Sequence, residues 1–335
     1  MNAVASMSHV QSLLNAGRIN EAAQTLSDAA HAGDVSALHE LALWAVSGNI
    51  IPRNLALAHD LLGQAKNKGH TDASLLYAYF SAAGTGCRAQ WTTAFNLIKQ
   101  LAKTSVVAER QVDLLDKMQL DPDGEPSNSY GLDFRSSQPR VSVCRQLLTA
   151  DECEYVVGVG APYLMPSQVV DPQTRQLIPH PVRRSHGAMF GVHAEDLMIN
   201  AINRRIAAVS GTAYKQGEPL QLLQYQRGDE YRPHLDALPN EQNQRVMTVI
   251  VYLSDDYDGG ETQFLRSGFS FKGQKGDALL FANTLPHGQP DPLSLHCGAP
   301  VKSGTKTIAT RWIRRSAFIY PNPPSILDSV PGFAI

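Results

Sequence analysis

Over roughly the first 120 positions, apolar residues recur three and four apart: Leu38, Leu41, Ala42 and Ala45, then Leu55, Ala58, Leu61, Leu62 and Ala65. That spacing predicts amphipathic helices. A longer period overlies it. A shift of 36 residues carries Gly33 onto Gly69, Ala37 onto Ala73, Ala42 onto Ala78 and Gly48 onto Gly84. The same shift carries Ala22 onto Ala58, Ala58 onto Ala94, and Leu26 onto Leu62. Small residues repeating at this period predict stacked helical hairpins, because one hairpin cannot bury its own apolar face. The helical repeat (solenoid-like) domain is expected over residues 1–120.

The pattern changes at DPDGEPSNSYG, where Pro, Gly, Asp and Ser cluster, so 121–138 reads as a linker. Short β-rich runs follow: QLLQYQ, VMTVIVYL, TQFL, DALLFA and TKTIATRWI, separated by turns such as DGGE and KGQKGD. Two helical stretches precede them, TADECEYVVGVG with Thr149 as its cap and AEDLMINAINRRIAAVSG. The expected fold is α + β in two domains. The second is a double-stranded β-helix (jelly roll) with flanking helices over 139–316, followed by a proline-rich tail over 317–335. Pro166, Pro172, Pro179 and Pro181 mark 165–182 as a candidate lid.

Charge and composition narrow the function. The net charge of -2 supplies no basic field for phosphates, so no nucleic acid partner is expected. No apolar run is long enough to span a membrane, and the N-terminus lacks the basic and apolar regions of a signal peptide. Cys87, Cys144, Cys153 and Cys297 are scattered, which predicts free thiols and a cytoplasmic protein.

The chemistry centres on YQRGDEYRPHLD, which ends in His234-Leu235-Asp236. Residues two apart on a strand share a face, so this imidazole and carboxylate can hold one metal. Two histidines and one carboxylate on one octahedral face is the ligand set of non-haem iron(II) oxygenases. Downstream, His287 and His296 are the candidates for the third ligand. His296 is preferred, because the cation Lys306 lies ten residues beyond it while His287 sits between prolines. A turn at Lys302-Ser303-Gly304 would fold the chain into a hairpin that brings Lys306 alongside.

These residues closely resemble the prolyl 4-hydroxylase family from about Pro139 to Arg315. The match comprises Tyr225, Gly228, Tyr231, His234, Asp236, the turn Gly259-Gly260-Glu261-Thr262, His296 and Lys306. VRRSHGAMF looks like the family's R-T-S-x-G-x-F segment, with Arg184-Ser185-His186 departing from it. The resemblance implies a 2-oxoglutarate-dependent dioxygenase with Fe(II) on His234, Asp236 and His296, O2 as oxidant and ascorbate as reductant. It implies that Lys306, Tyr225 and Thr262 bind the distal carboxylate of 2-oxoglutarate. It also places Tyr231, Arg245 and Trp312 on the substrate side. The intact Asp236 points to hydroxylation rather than halogenation. The N-terminal region resembles Sel-one-like repeats of the tetratricopeptide class, with the G-x-G turn at Gly84 and Gly86 but Ile50 in the second place of the preceding unit. Such repeats imply a protein or peptide partner. Two alternatives stay open: a hydroxylase of a free amino acid or small metabolite, and an inactive scaffold acting through its repeats.

Overall fold

A computed structural model describes residues 3–170, 177–179 and 182–322. It divides into two compact units. One holds the chain up to Gly124 with Glu195–Asn200 and the residues from Ile319; the other holds Glu125–Ala194 and Ala201–Phe318.

The first unit is built on α1 (Ala3–Asn15), α2 (Ile19–His31), α3 (Val35–Ser47), α4 (Leu55–Asn67), α5 (Thr71–Ala83), α6 (Trp91–Leu101) and α7 (Val106–Leu115). The 36-residue period is visible in the caps. The Asp34 carboxylate accepts from the Ala37 amide at the start of α3, and the His70 imidazole accepts from the Ala73 amide at the start of α5. Both helices end on a left-handed glycine, Gly48 and Gly84, each with φ of 72°. Those two amides donate to the carbonyls of Trp44 and Phe80. Inside, Ala22, Ala58 and Ala94 form one buried series, and Leu26, Leu62 and Ile98 another. Small side chains let neighbouring helices approach. Gly86 is demanded by contact as well as by its φ of +71°, since a Cβ there would lie 2.0 Å from the Leu55 carbonyl oxygen.

The second unit opens with β1 (Asp133–Ser137) and β2 (Arg140–Cys144), then α8 (Ala150–Gly160), β3 (Met165–Pro166), β4 (Gln168–Val170), β5 (Leu177–Pro179) and β6 (His186–Met189). After α9 (Leu197–Ser210) come β7 (Gln221–Tyr225), β8 (Tyr231–His234), β9 (Arg245–Tyr252), β10 (Asp258–Gly259), β11 (Thr262–Phe264) and β12 (Ser270–Phe271). β13 (Ala278–Ala282), β14 (His296–Gly298), β15 (Val301–Ser303) and β16 (Lys306–Arg314) complete it. The larger sheet has the order β1-β2-β13-β9-β16-β7-β6-β3 and the smaller β12-β11-β14-β8. Side chains from both fill one core, with Ile250, Phe281 and Ile308 from the larger sheet and Phe264 from the smaller. This is the two-sheet jelly roll with helices that the strand pattern predicts.

α8 begins with a reciprocal capping box between Thr149 and Glu152. The Glu152 carboxylate also takes two hydrogen bonds from Arg205 of α9, at 2.6 and 2.9 Å, with both groups buried. The candidate lid falls partly outside the described residues, at 171–176, 180 and 181; its remaining part forms the pairs β3–β6 and β4–β5. Residues 323–335 of the expected tail also lie outside them.

The expected hairpin between His296 and Lys306 does not form. β14 belongs to the smaller sheet and β16 to the larger, while β15 between them pairs with β10. The turn at 302–304 therefore carries the chain from the β10–β15 pair into the larger sheet. Each strand finds its hydrogen bonds with distant partners, so sequence adjacency does not dictate pairing. Among the described residues no helix is long and apolar enough to cross a membrane, and all four cysteines are free.

Candidate active site

Two strands of the smaller sheet bring the metal-ligating side chains together. β14 runs antiparallel to β8 with His296 directly opposite His234. Asp236 lies just past the end of β8. His234 Nε2 stands 3.6 Å from Asp236 Oδ1, and His296 Nε2 stands 3.8 Å from Asp236 Oδ2. The three ligand atoms lie within 4.8 Å of one another, the one such cluster among the described residues. His287 is exposed and takes no part in it.

Both imidazoles are held in the same way. His234 Nδ1 is 2.8 Å from the Arg232 carbonyl, and His296 Nδ1 is 2.9 Å from the Ser294 carbonyl. A carbonyl only accepts, so each Nδ1 carries the proton and each Nε2 lone pair is left for a metal. Burial, and then the neighbouring His296, push the His234 imidazolium down to about 4. Burial alone would raise the Asp236 carboxyl, but His296, His234 and a hydrogen bond from Thr248 outweigh it and hold the group below the usual carboxylate range. His234 and Asp236 are thus in their ligating forms near neutral pH. This donor set fits a first-row divalent metal such as iron(II).

The pocket over the ligands is lined by Tyr225, Tyr231, Thr262, Lys306 and Trp312, with Leu223, Ile250 and Ile308 as apolar walls. Lys306 opens β16 directly opposite Tyr225 of β7. Its ammonium donates to the Gly260 carbonyl at 2.7 Å and lies 5.4 Å from the centre of the Tyr225 ring. Burial pushes its pKa down to about 8. Thr262 Oγ1 is 3.0 Å from the Tyr252 hydroxyl. The Tyr231 ring stacks on His234 at a centroid distance of 3.5 Å, and burial raises its hydroxyl to about 12.

Arg245 is placed differently from the other sequence candidates. It does not line the pocket; its guanidinium lies over the Trp312 ring at 4.1 Å and donates to both carboxylate oxygens of Glu218, at 2.6 and 2.8 Å. Sequence reasoning missed Glu218, Thr248 and Asn283, and noted Ser185 only as part of the family-like segment. Ser185 bonds to Tyr225 and lies 2.8 Å from the Ser167 hydroxyl. Nothing in the spacing of Glu218, Thr248 and Asn283 marks them, since each acts across a strand pair or a loop.

A family model described as the 2OG-Fe(II) oxygenase superfamily matches residues 220–314, a span that holds all three ligands and Lys306. Prolyl 4-hydroxylase 1 of Arabidopsis thaliana is 39% identical over 202 residues, which cover 54% of this chain and 71% of that protein. The viral collagen prolyl hydroxylase of Paramecium Bursaria Chlorella virus-1, solved with 2OG, is 25% identical with a TM-score of 0.43, and the match covers 52% of this chain and 96% of the other. A Sel1 repeat protein from Oxalobacter formigenes is 26% identical over 29% of each chain, with a TM-score of 0.28. Taken with the ligand geometry, the relationship to the Arabidopsis enzyme establishes that this chain belongs to the prolyl 4-hydroxylase-like 2OG-Fe(II) oxygenases.

Proposed function

We propose that this protein hydroxylates prolyl residues of a protein or peptide, converting 2-oxoglutarate and O2 to succinate and CO2 as it does so. The observation that carries the reading is the joint lining of one pocket by the His234, Asp236 and His296 cluster and by the buried ammonium of Lys306. Bound iron(II) supplies the redox chemistry that couples the two oxidations.

In this reading His234, Asp236 and His296 would hold the metal, with the 2-oxo acid in the pocket beside them. Lys306 pairs with the distal carboxylate of 2-oxoglutarate, with Tyr225 and Thr262 as hydrogen-bond partners. Tyr231 and Trp312 then face the substrate, and Arg245 backs the indole. The apolar walls keep water from the oxidant. A prolyl substrate is supported by the name and identity of the Arabidopsis relative. The stacked hairpins of the first unit serve as a platform for a protein substrate, and ascorbate keeps the iron reduced.

The test is mass spectrometry of cell-extract proteins after incubation with iron(II), 2-oxoglutarate and ascorbate. Wild type adds ~16 Da, one oxygen atom, to prolyl peptides; Asp236→Ala adds none. Oxygen found only on free amino acids or other metabolites overturns the peptide reading and favours a small-molecule hydroxylase.

A further inference from the structure

Behind the metal-facing carboxylate runs a buried hydrogen-bond chain. Thr248 Oγ1 donates to Asp236 Oδ2 at 2.6 Å, and Asn283 Nδ2 donates to Thr248 Oγ1 at 2.8 Å. Asp236, Thr248 and Asn283 are 4%, 1% and 0% exposed. The direction of the chain is forced. An ionised carboxylate only accepts, so the single Thr248 proton goes to Asp236, and the Thr248 oxygen must then accept from an amide N–H. Asn283 is itself fixed by its backbone: its N–H donates to the Val246 carbonyl, and its carbonyl accepts from the Asp291 amide, each at 2.9 Å. Thr248 sits on β9 opposite Phe281 of β13, and Asn283 follows β13 directly.

The amide pays for its place. Among the described residues no group hydrogen-bonds to the buried Asn283 Oδ1. An orphaned buried oxygen costs stability that an apolar side chain at this position would avoid, so the amide calls for a reason beyond filling the core.

We propose that Thr248, oriented by Asn283, is a positioning residue that fixes the rotation of Asp236 toward the two imidazoles. The hydrogen bond to Oδ2 holds the carboxylate plane with Oδ1 3.6 Å from His234 Nε2 and Oδ2 3.8 Å from His296 Nε2. An untethered carboxylate is free to turn away from that arrangement. Hydrogen bonds to ligating carboxylates tune metal affinity in this way. The inference rests on the metal reading of the His234, Asp236 and His296 cluster.

The test is titration with Mn(II), with free Mn(II) followed by electron paramagnetic resonance. Wild type is compared with Thr248→Val, which keeps the β-branched shape and removes the hydroxyl, and with Thr248→Ser, which keeps the hydroxyl. Thr248→Val is expected to weaken Mn(II) binding by roughly 10- to 100-fold, and Thr248→Ser to stay within about threefold of wild type. Wild-type affinity in Thr248→Val overturns the proposal while leaving the metal site standing. Should the valine variant fail to fold, Thr248→Ala against Thr248→Ser gives the same comparison, with equal affinities counting against the role. If wild type binds Mn(II) no better than Asp236→Ala, the metal reading fails and takes this inference with it.

Discussion

His234 and His296 stand directly opposite each other on the antiparallel strands β8 and β14, with ring centres 4.3 Å apart. Their separation in sequence is closed by strand register alone. A slip of one residue in that pair would turn one imidazole to the other face of the sheet and dismantle the site.

The ligand cluster should therefore fail as a unit. Asp236→Ala or His296→Ala is expected to abolish both Mn(II) binding and succinate release in the absence of substrate. The loss should exceed the ~10- to 100-fold that changes around a ligand cost. Circular dichroism should show the fold retained. Substantial succinate release by either variant would remove that residue from the ligand set.

Among the described residues no carboxylate hydrogen-bonds to Lys306; its ammonium donates to the Gly260 carbonyl. Lys306→Ala should raise the KM for 2-oxoglutarate on the order of 100-fold, within the ~2–5 kcal/mol that truncating one partner of a buried charge pair costs. Lys306→Arg should recover part of it. A KM unchanged in the alanine variant would assign the distal carboxylate to another group.

The same lysine gives a pH dependence. Burial holds its folded pKa near 8, below the ordinary lysine value of 10.5. The ammonium is present below that pH and is lost as pH rises through it. Affinity for 2-oxoglutarate should accordingly fall above about pH 8. Burying the cation is a penalty that deprotonation relieves, so this group's contribution to stability of the 2-oxoglutarate-free protein rises between pH 8 and 10.5. A KM for 2-oxoglutarate that stays flat to high pH would contradict the assignment.

In the helical unit, Gly86→Ala places a Cβ 2.0 Å from the Leu55 carbonyl in a left-handed conformation. Gly17 has a similar φ of +73° with open space around it. Gly17→Ala should cost only the backbone term of ~1–2 kcal/mol. Gly86→Ala should cost distinctly more, read as a larger drop in the midpoint of thermal unfolding. Equal losses would mean that the turn at Gly86 relaxes freely.

Much of this was legible in the residues. The 36-residue shift that aligns Gly48 with Gly84 marks two helix ends with the same left-handed cap, because only a glycine takes that conformation without strain. The triplet His234-Leu235-Asp236, a distal His296 and Lys306 ten residues on named the pocket. The route between the last two was misread, since a turn signal tells where a chain bends and not which sheet receives it. The surroundings of Arg245 were not legible: its guanidinium is held by Glu218 and lies on the Trp312 ring, contacts that no local spacing announces.

The sequence by itself determined the repeat period of the helical unit, the alternation of the strands and the ligand types, because these follow from local spacing and side-chain chemistry. Only the tertiary structure decided the register that faces His296 toward His234, the crossing that delivers Lys306 to the pocket, and the Asn283–Thr248–Asp236 chain. Each of those depends on hydrogen bonds between strands or loops far apart along the chain. No local pattern encodes which distant partner satisfies a given buried group.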